Sequence, residues 1–282
     1  MSLQTRRFAQ VDVFTAVPLR GNALAVVIDG DGLSEAAMAS FARWTNLSET
    51  TFLLAPADLT ADYRVRIFTP TGELPFAGHP TLGSAHCWLA HGGSPKRKGE
   101  VVQECGIGLV RIKRGADRNK ERLAFAAPPL LRSGPVAPEL RAQVLRALRL
   151  RVDEVLDVVW LDNGPHWVAA RLHSAAAVLA LQPDFSAMQG LELGVVGAYP
   201  AGSPQQFEVR AFVPGLPEDP VTGSLNAGLA LWLQGAGLAP ARYIAAQGAA
   251  LGRAGRIHVL RDGADTWIGG DVTPMIVGQV KL

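Results

Sequence analysis

The chain has 282 residues, 48% hydrophobic and 18% charged, enough apolar material for one large or two medium cores, two being the count its length favours, so disorder is excluded as a general description. A formal net charge of +2, scattered apart from the run Lys96-Arg97-Lys98 that reads as a solvated loop, leaves no basic stripe for nucleic acid. Two cysteines, Cys87 and Cys105, are too few for a disulfide framework or a metal cage; with no leader pattern and no apolar run of spanning length, a soluble cytoplasmic protein without a membrane partner is expected.

In chain order, Phe8 to Phe14 alternates as a strand and Ala25 to Ile28 continues as another, with the turn-forming pair Gly21-Asn22 between them. Ser34 is placed to cap a helix whose apolar positions Met38, Phe41 and Ala42 share a face with Thr45, and Asn46 to end it. Residues 50–54, 63–68, 101–103, 109–112 and 123–125 read as strands. Residues 81–90 are apolar on nearly every face and predict a buried helix. Ala126-Ala127-Pro128-Pro129, with Gly134 and Pro135 soon after, is linker chemistry, and a second series of elements begins near Val158. The domains are therefore set at 1–127 and 128–282, the final strand being a candidate to return to the first.

A fixed offset of 144 residues lays VRIFTPTGELPFAGHPTLGSAHCWLAHGG (65–93) over VRAFVPGLPEDPVTGSLNAGLALWLQGAG (209–237), with Val65/Val209, Arg66/Arg210, Phe68/Phe212, Pro70/Pro214, Trp88/Trp232, Leu89/Leu233 and Gly93/Gly237 identical. Each copy reads as a strand, a Pro-ended loop, a Gly-containing turn and a buried helix, which predicts two α/β halves built alike. If a pseudo-twofold axis relates them, both helix N-termini can offer N–H groups and partial positive charge to an anion in one cleft. Asp219 then stands on the loop entering the second helix and Gly78-His79-Pro80 on the loop entering the first. Imidazole and carboxylate suit proton transfer near neutral pH. Taken singly, a His before Pro is an ordinary turn residue and an Asp before Pro an ordinary cap. Glu49, in NLSETTFLL, is by itself a solvated residue at a strand start.

The segments VDVFTAVPLRGNALAVV, NLSETTFLL, FTPTGELPFAGHPTLGSA, PEDPVTGSLNAG and QGAALGRAGRIHV, in that order from about Val11 to Val259, resemble the phenazine-biosynthesis PhzF-like family, which has the diaminopimelate epimerase fold. The resemblance implies two domains, each a curved mixed sheet around a central helix, a homodimer, and an isomerase working without cofactor or metal on a small carboxylate-bearing, amino acid-like substrate. It casts Glu49 as the base and acid that moves a double bond, with Asp219 and His79 helping in orientation and proton delivery. The substrate carboxylate would rest near Gly78 and His79 and near Gly223 and Ser224, with Asn22 and His166 as further candidates for the pocket lining and His166 also readable as a packing residue. Two departures from the family pattern, Ala23 and Ala254 in place of proline, bear on the stiffness of their loops. An epimerase on this fold would use a facing pair of cysteines, one at each helix entrance, and neither entrance has one; Cys87 falls inside the first helix. A third reading, a carboxylate-binding protein without chemistry, sits poorly with two acids in the pocket.

Overall fold

The computed structural model describes residues 3–115, 122–214 and 216–282; Gly215, inside the second copy of the repeat, lies outside them. The chain divides into two compact units, Met1–Ala126 with Gly269–Leu282, and Ala127–Ile268.

The first unit opens with β1 (Thr5–Val13), β2 (Asn22–Val27), α1 (Glu35–Thr45), β3 (Glu49–Leu54), β4 (Tyr63–Phe68) and the short β5 (Glu73–Leu74). Then come α2 (Gly78–Ala90), β6 (Glu100–Cys105), β7 (Gly108–Arg114) and β8 (Leu123–Ala126). The second unit holds β9 (Arg132–Pro135), α3 (Pro138–Leu148), β10 (Val155–Asp162), β11 (Val168–Leu172), α4 (Ala175–Leu179), α5 (Phe185–Met188), β12 (Leu193–Ala198) and β13 (Phe207–Val213). It continues with β14 (Leu216–Asp219), α6 (Gly223–Gly235), β15 (Arg242–Gln247) and β16 (Gly255–Asp262); the chain passes back to the first unit within β17 (Asp265–Gly270) and ends in β18 (Val272–Lys281).

The pairings of the two units repeat step for step. In the first, β1 and β2 are antiparallel, β2 and β3 parallel, β3 and β4 antiparallel, β5 folds back on β4, β6 is parallel to β4 and β7 antiparallel to β6. In the second the same sequence runs through β10, β11, β12, β13, β14, β15 and β16. Each unit is thus a mixed sheet around one helix, α2 or α6, the α/β class predicted, and β18 adds to the first sheet along β1.

The two central helices are apolar on all sides, which suits burial rather than a surface position. Nine residues of α2 and ten of α6 are buried. Glycines let the sheets approach: a Cβ at Gly83 of α2 would sit 2.5 Å from Leu24 Cδ2, and one at Gly194 of β12 would sit 2.4 Å from Leu225 Cδ1. The outer faces are closed by α1 over Val27, Phe52 and Phe68, and in the second unit by α3, α4 and α5 over Val155, Val158 and Val195.

Local chemistry explains α1. Ser34 accepts the Ala37 N–H at one end, Asn46 adopts left-handed φ 55° at the other, and Met38, Phe41 and Ala42 are buried between them. Elsewhere the structure departs from expectation. Helix α2 begins at Gly78, not near Thr81, so His79 and Pro80 belong to its first turn; proline is tolerated there because those N–H groups have no intrahelical partner. Gly134 and Pro135, read as linker, form the end of β9, which pairs with β10, and α3 starts on Pro138 at its first turn. No described helix is long and apolar enough to cross a membrane.

Candidate active site

In the first unit, β2 and β3 are parallel neighbours with Leu24 opposite Glu49, so Asn22 and Glu49 both stand at the strands' N-terminal ends. The first turn of α2 adds His79. His79 Nε2 lies 3.2 Å from Glu49 Oε2, with the His79 side chain 4% and the Glu49 side chain 15% exposed. On the other side of the ring, Asn22 Nδ2 is 3.3 Å from His79 Nδ1. An amide nitrogen only donates, so Nδ1 accepts and the ring proton sits on Nε2, facing the Glu49 carboxylate. Burial pushes the His79 imidazole down to about 3 and keeps it neutral. Burial thus holds His79 below the range of a histidine that titrates near neutrality, and its Nε2 approaches Glu49 without completing a hydrogen bond.

In the second unit, Asp219 closes β14 three residues before Thr222, the N-cap of α6. The Thr222 hydroxyl donates to Asp219 Oδ2 at 2.5 Å. Buried Gln247, at the end of β15, donates from Nε2 to Thr222 Oγ1 at 2.9 Å and to the Asp219 carbonyl at 3.1 Å. Its Oε1 accepts from the Thr222 N–H and from Asn226 Nδ2. Glu218 turns the other way, to Arg210, at 2.7 Å and 3.0 Å.

Gly223 and Ser224 are the first residues of α6. Ser224 Oγ accepts from Trp167 Nε1 at 3.0 Å and its carbonyl from Asn163 Nδ2 at 2.9 Å. His166 does not join that cluster and does not pack: its ring is 79% exposed and rests on Asp162 at 2.7 Å, whose carboxylate raises the imidazole above its ordinary value. Trp167 is the buried member of the pair. Neither α2 nor α6 is capped by the side chain of its own N-cap residue, Ala77 or Thr222. Sequence reasoning missed Thr222, Gln247, Asn226, Asn163 and Trp167. Gln247 had a signal, since it stands at the repeat offset from Gln103, whose Nε2 donates to Thr81 in the first turn of α2.

The first unit thus sets a carboxylate and an imidazole side by side at the start of α2, and the second holds a carboxylate in a polar network at the start of α6. Residues 11–270 match the family described as phenazine biosynthesis-like protein, PhzC-PhzF. Antisense-enhancing sequence 1 of Schizosaccharomyces pombe is 36% identical over 227 residues, 77% of this chain and 76% of that protein. Trans-2,3-dihydro-3-hydroxyanthranilate isomerase of Pseudomonas aeruginosa is 34% identical over 264 residues, 92% of this chain and 91% of that one. A PhzF-family phenazine biosynthesis protein from Enterococcus faecalis superimposes with a TM-score of 0.78 at 25% identity, covering 99% of this chain and 100% of the other. The protein is an isomerase. It belongs to the PhzC-PhzF family.

Proposed function

We propose that this isomerase moves a double bond in a small, carboxylate-bearing, amino acid-like substrate by proton transfer alone, with Glu49 as the proton carrier. The observation that carries the reading is the 3.2 Å approach of His79 Nε2 to Glu49 Oε2 at the start of α2, both side chains largely buried. A neighbouring imidazole that stays neutral does not become a competing acid, leaving Glu49 to take a proton from a carbon acidified by an adjacent conjugated carboxylate. The electron pair left behind shifts along the conjugated system, and the proton returns at another carbon, so no atom is gained or lost. Asp219 assists in orientation and proton delivery. The substrate carboxylate rests on first-turn N–H groups of Gly78 and His79 or of Gly223 and Ser224, which suit an anion. A relative's action on trans-2,3-dihydro-3-hydroxyanthranilate, as its name states, supports this substrate class. Racemisation by a thiol pair is disfavoured, because Cys87 is buried within α2 and its thiol is pushed up to about 12.

The test is incubation with trans-2,3-dihydro-3-hydroxyanthranilate in D2O, followed by NMR. Conversion with deuterium at the carbon that receives the proton is expected. Label only at the carbon that lost it, with inversion, would identify an epimerase; neither conversion nor exchange would overturn this substrate class.

A further inference from the structure

We infer that Thr222 and Gln247 are positioning residues that hold Asp219 Oδ2 as a hydrogen-bond acceptor and so fix the direction in which the Asp219 carboxylate points. The inference rests on the part given to Asp219 above. Every direction in the network is fixed by a partner with only one option. The Thr222 backbone N–H can only donate, so the Gln247 atom facing it is Oε1; the Asp219 carbonyl can only accept, so the atom facing it is Nε2. Asn226 Nδ2, which donates to the Thr222 carbonyl at 2.8 Å, donates also to Gln247 Oε1 and locks the same orientation. Gln247 Nε2 therefore gives its second proton to Thr222 Oγ1, and the hydroxyl proton of Thr222 goes to Asp219.

The first unit supplies the comparison. There Gln103 Nε2 donates to Thr81 Oγ1 at 3.0 Å, and Thr81 donates to the backbone carbonyl of Ala77 at 2.9 Å. A glutamine–threonine pair that only steadies a helix start can thus end on backbone. In the second unit the chain ends on a side-chain carboxylate, which a helix start does not require. The glutamine, threonine and asparagine are all buried, so the network is shielded from competing water.

The test measures kcat and KM on trans-2,3-dihydro-3-hydroxyanthranilate for Thr222→Val and Thr222→Ser, each in the natural and the Asp219→Asn background, together with crystal structures of the single variants. Thr222→Val should lower kcat about 10- to 100-fold, as displacement of a catalytic group does, with KM little changed. Thr222→Ser should restore most of it, and Thr222→Val should add nothing once Asp219 is Asn. In the Thr222→Val crystal the Asp219 carboxylate should leave its position, a readout that holds even if this substrate is not turned over. If Thr222→Val does not fold, Gln247→Glu serves: it keeps the acceptor for Thr222 N–H and Asn226 but draws the Thr222 proton away from Asp219, and the same fall in kcat is expected. Equal losses in both backgrounds, no rescue by serine, or an unmoved Asp219 carboxylate would overturn the inference. An impaired Asp219→Asn with unimpaired Thr222→Val sinks this inference alone; a fully active Asp219→Asn removes the Asp219 assignment beneath it.

Discussion

The repeat places one arginine–glutamate pair across each strand–hairpin unit, and the two pairs differ mainly in burial. Arg210 and Glu218 are 7% and 4% exposed, with a bidentate contact at 2.7 Å and 3.0 Å, and Arg210 also donates to the Val178 and Leu181 carbonyls. Arg66 and Glu73 make a similar fork at 2.5 Å and 2.7 Å, but are 18% and 37% exposed, and Glu35 shares the guanidinium. Glu218→Gln leaves a buried guanidinium without its counter-charge and is expected to cost about 3–5 kcal/mol. Glu73→Gln removes one of two partially solvated acids and should cost less than about 1 kcal/mol. With a urea m-value of about 2 kcal/mol/M, the first change lowers the midpoint by roughly 1.5–2.5 M and the second by under about 0.5 M. Urea unfolding of the two variants, followed by tryptophan fluorescence and far-UV circular dichroism, measures both. Equal costs at the two sites, or a cost below about 1 kcal/mol for Glu218→Gln, would refute the argument that burial sets the value of this pair.

Glu49→Gln keeps size and hydrogen bonding but removes the exchangeable acid, so turnover should fall by about 10²-fold or more while substrate binding, read by calorimetry, persists. His79, whose folded-state value of about 3 lies below its ordinary value of 6.5, stays neutral in the folded protein while the unfolded chain takes up a proton. Its contribution is present above about pH 6.5 and is lost as pH falls toward 3, by at most about 1.4 kcal/mol per pH unit; urea midpoints across that range should slope less in His79→Asn. Gly83→Ala should destabilise the protein by about 1–3 kcal/mol in thermal or urea unfolding, despite alanine's better helix propensity, because its Cβ would meet Leu24 and the valines of β1.

How much was legible from sequence follows the range of the interactions. Strand β4 was read to the residue and α1 to its caps, because alternation, Ser34 and Asn46 are local signals. Strand β9 was missed: Arg-Ser-Gly-Pro has no apolar alternation and owes its form to pairing with β10. The start of α2 was set three residues late because Gly78-His79-Pro80 reads as an entering loop, although a proline in the first turn lacks only an N–H that has no intrahelical partner. Glu49 had no local case, and its nearness to His79 arises only when β2 and β3 align in parallel and α2 arrives at their ends. The network at Asp219 joins residues up to 28 positions apart and was hidden for the same reason, although extending the repeat beyond Gly237 reaches Gln247.

The hairpins also explain why the hairpin of the second copy, unlike that of the first, turns a carboxylate toward the start of its central helix. From Arg66 to Glu73 is seven residues, and from Arg210 to Glu218 is eight, the additional residue accompanying a register shift between β13 and β14 at Ala211/Val213. Each glutamate returns to its arginine, and the residue after it must point to the opposite face of the strand. In the first hairpin that residue is Leu74, and in the second it is Asp219, which turns to Thr222 at the start of α6. In PEDPVTG, then, two adjacent acids have separate tasks: Glu218 fixes the hairpin to the sheet, and that anchor sets where Asp219 stands.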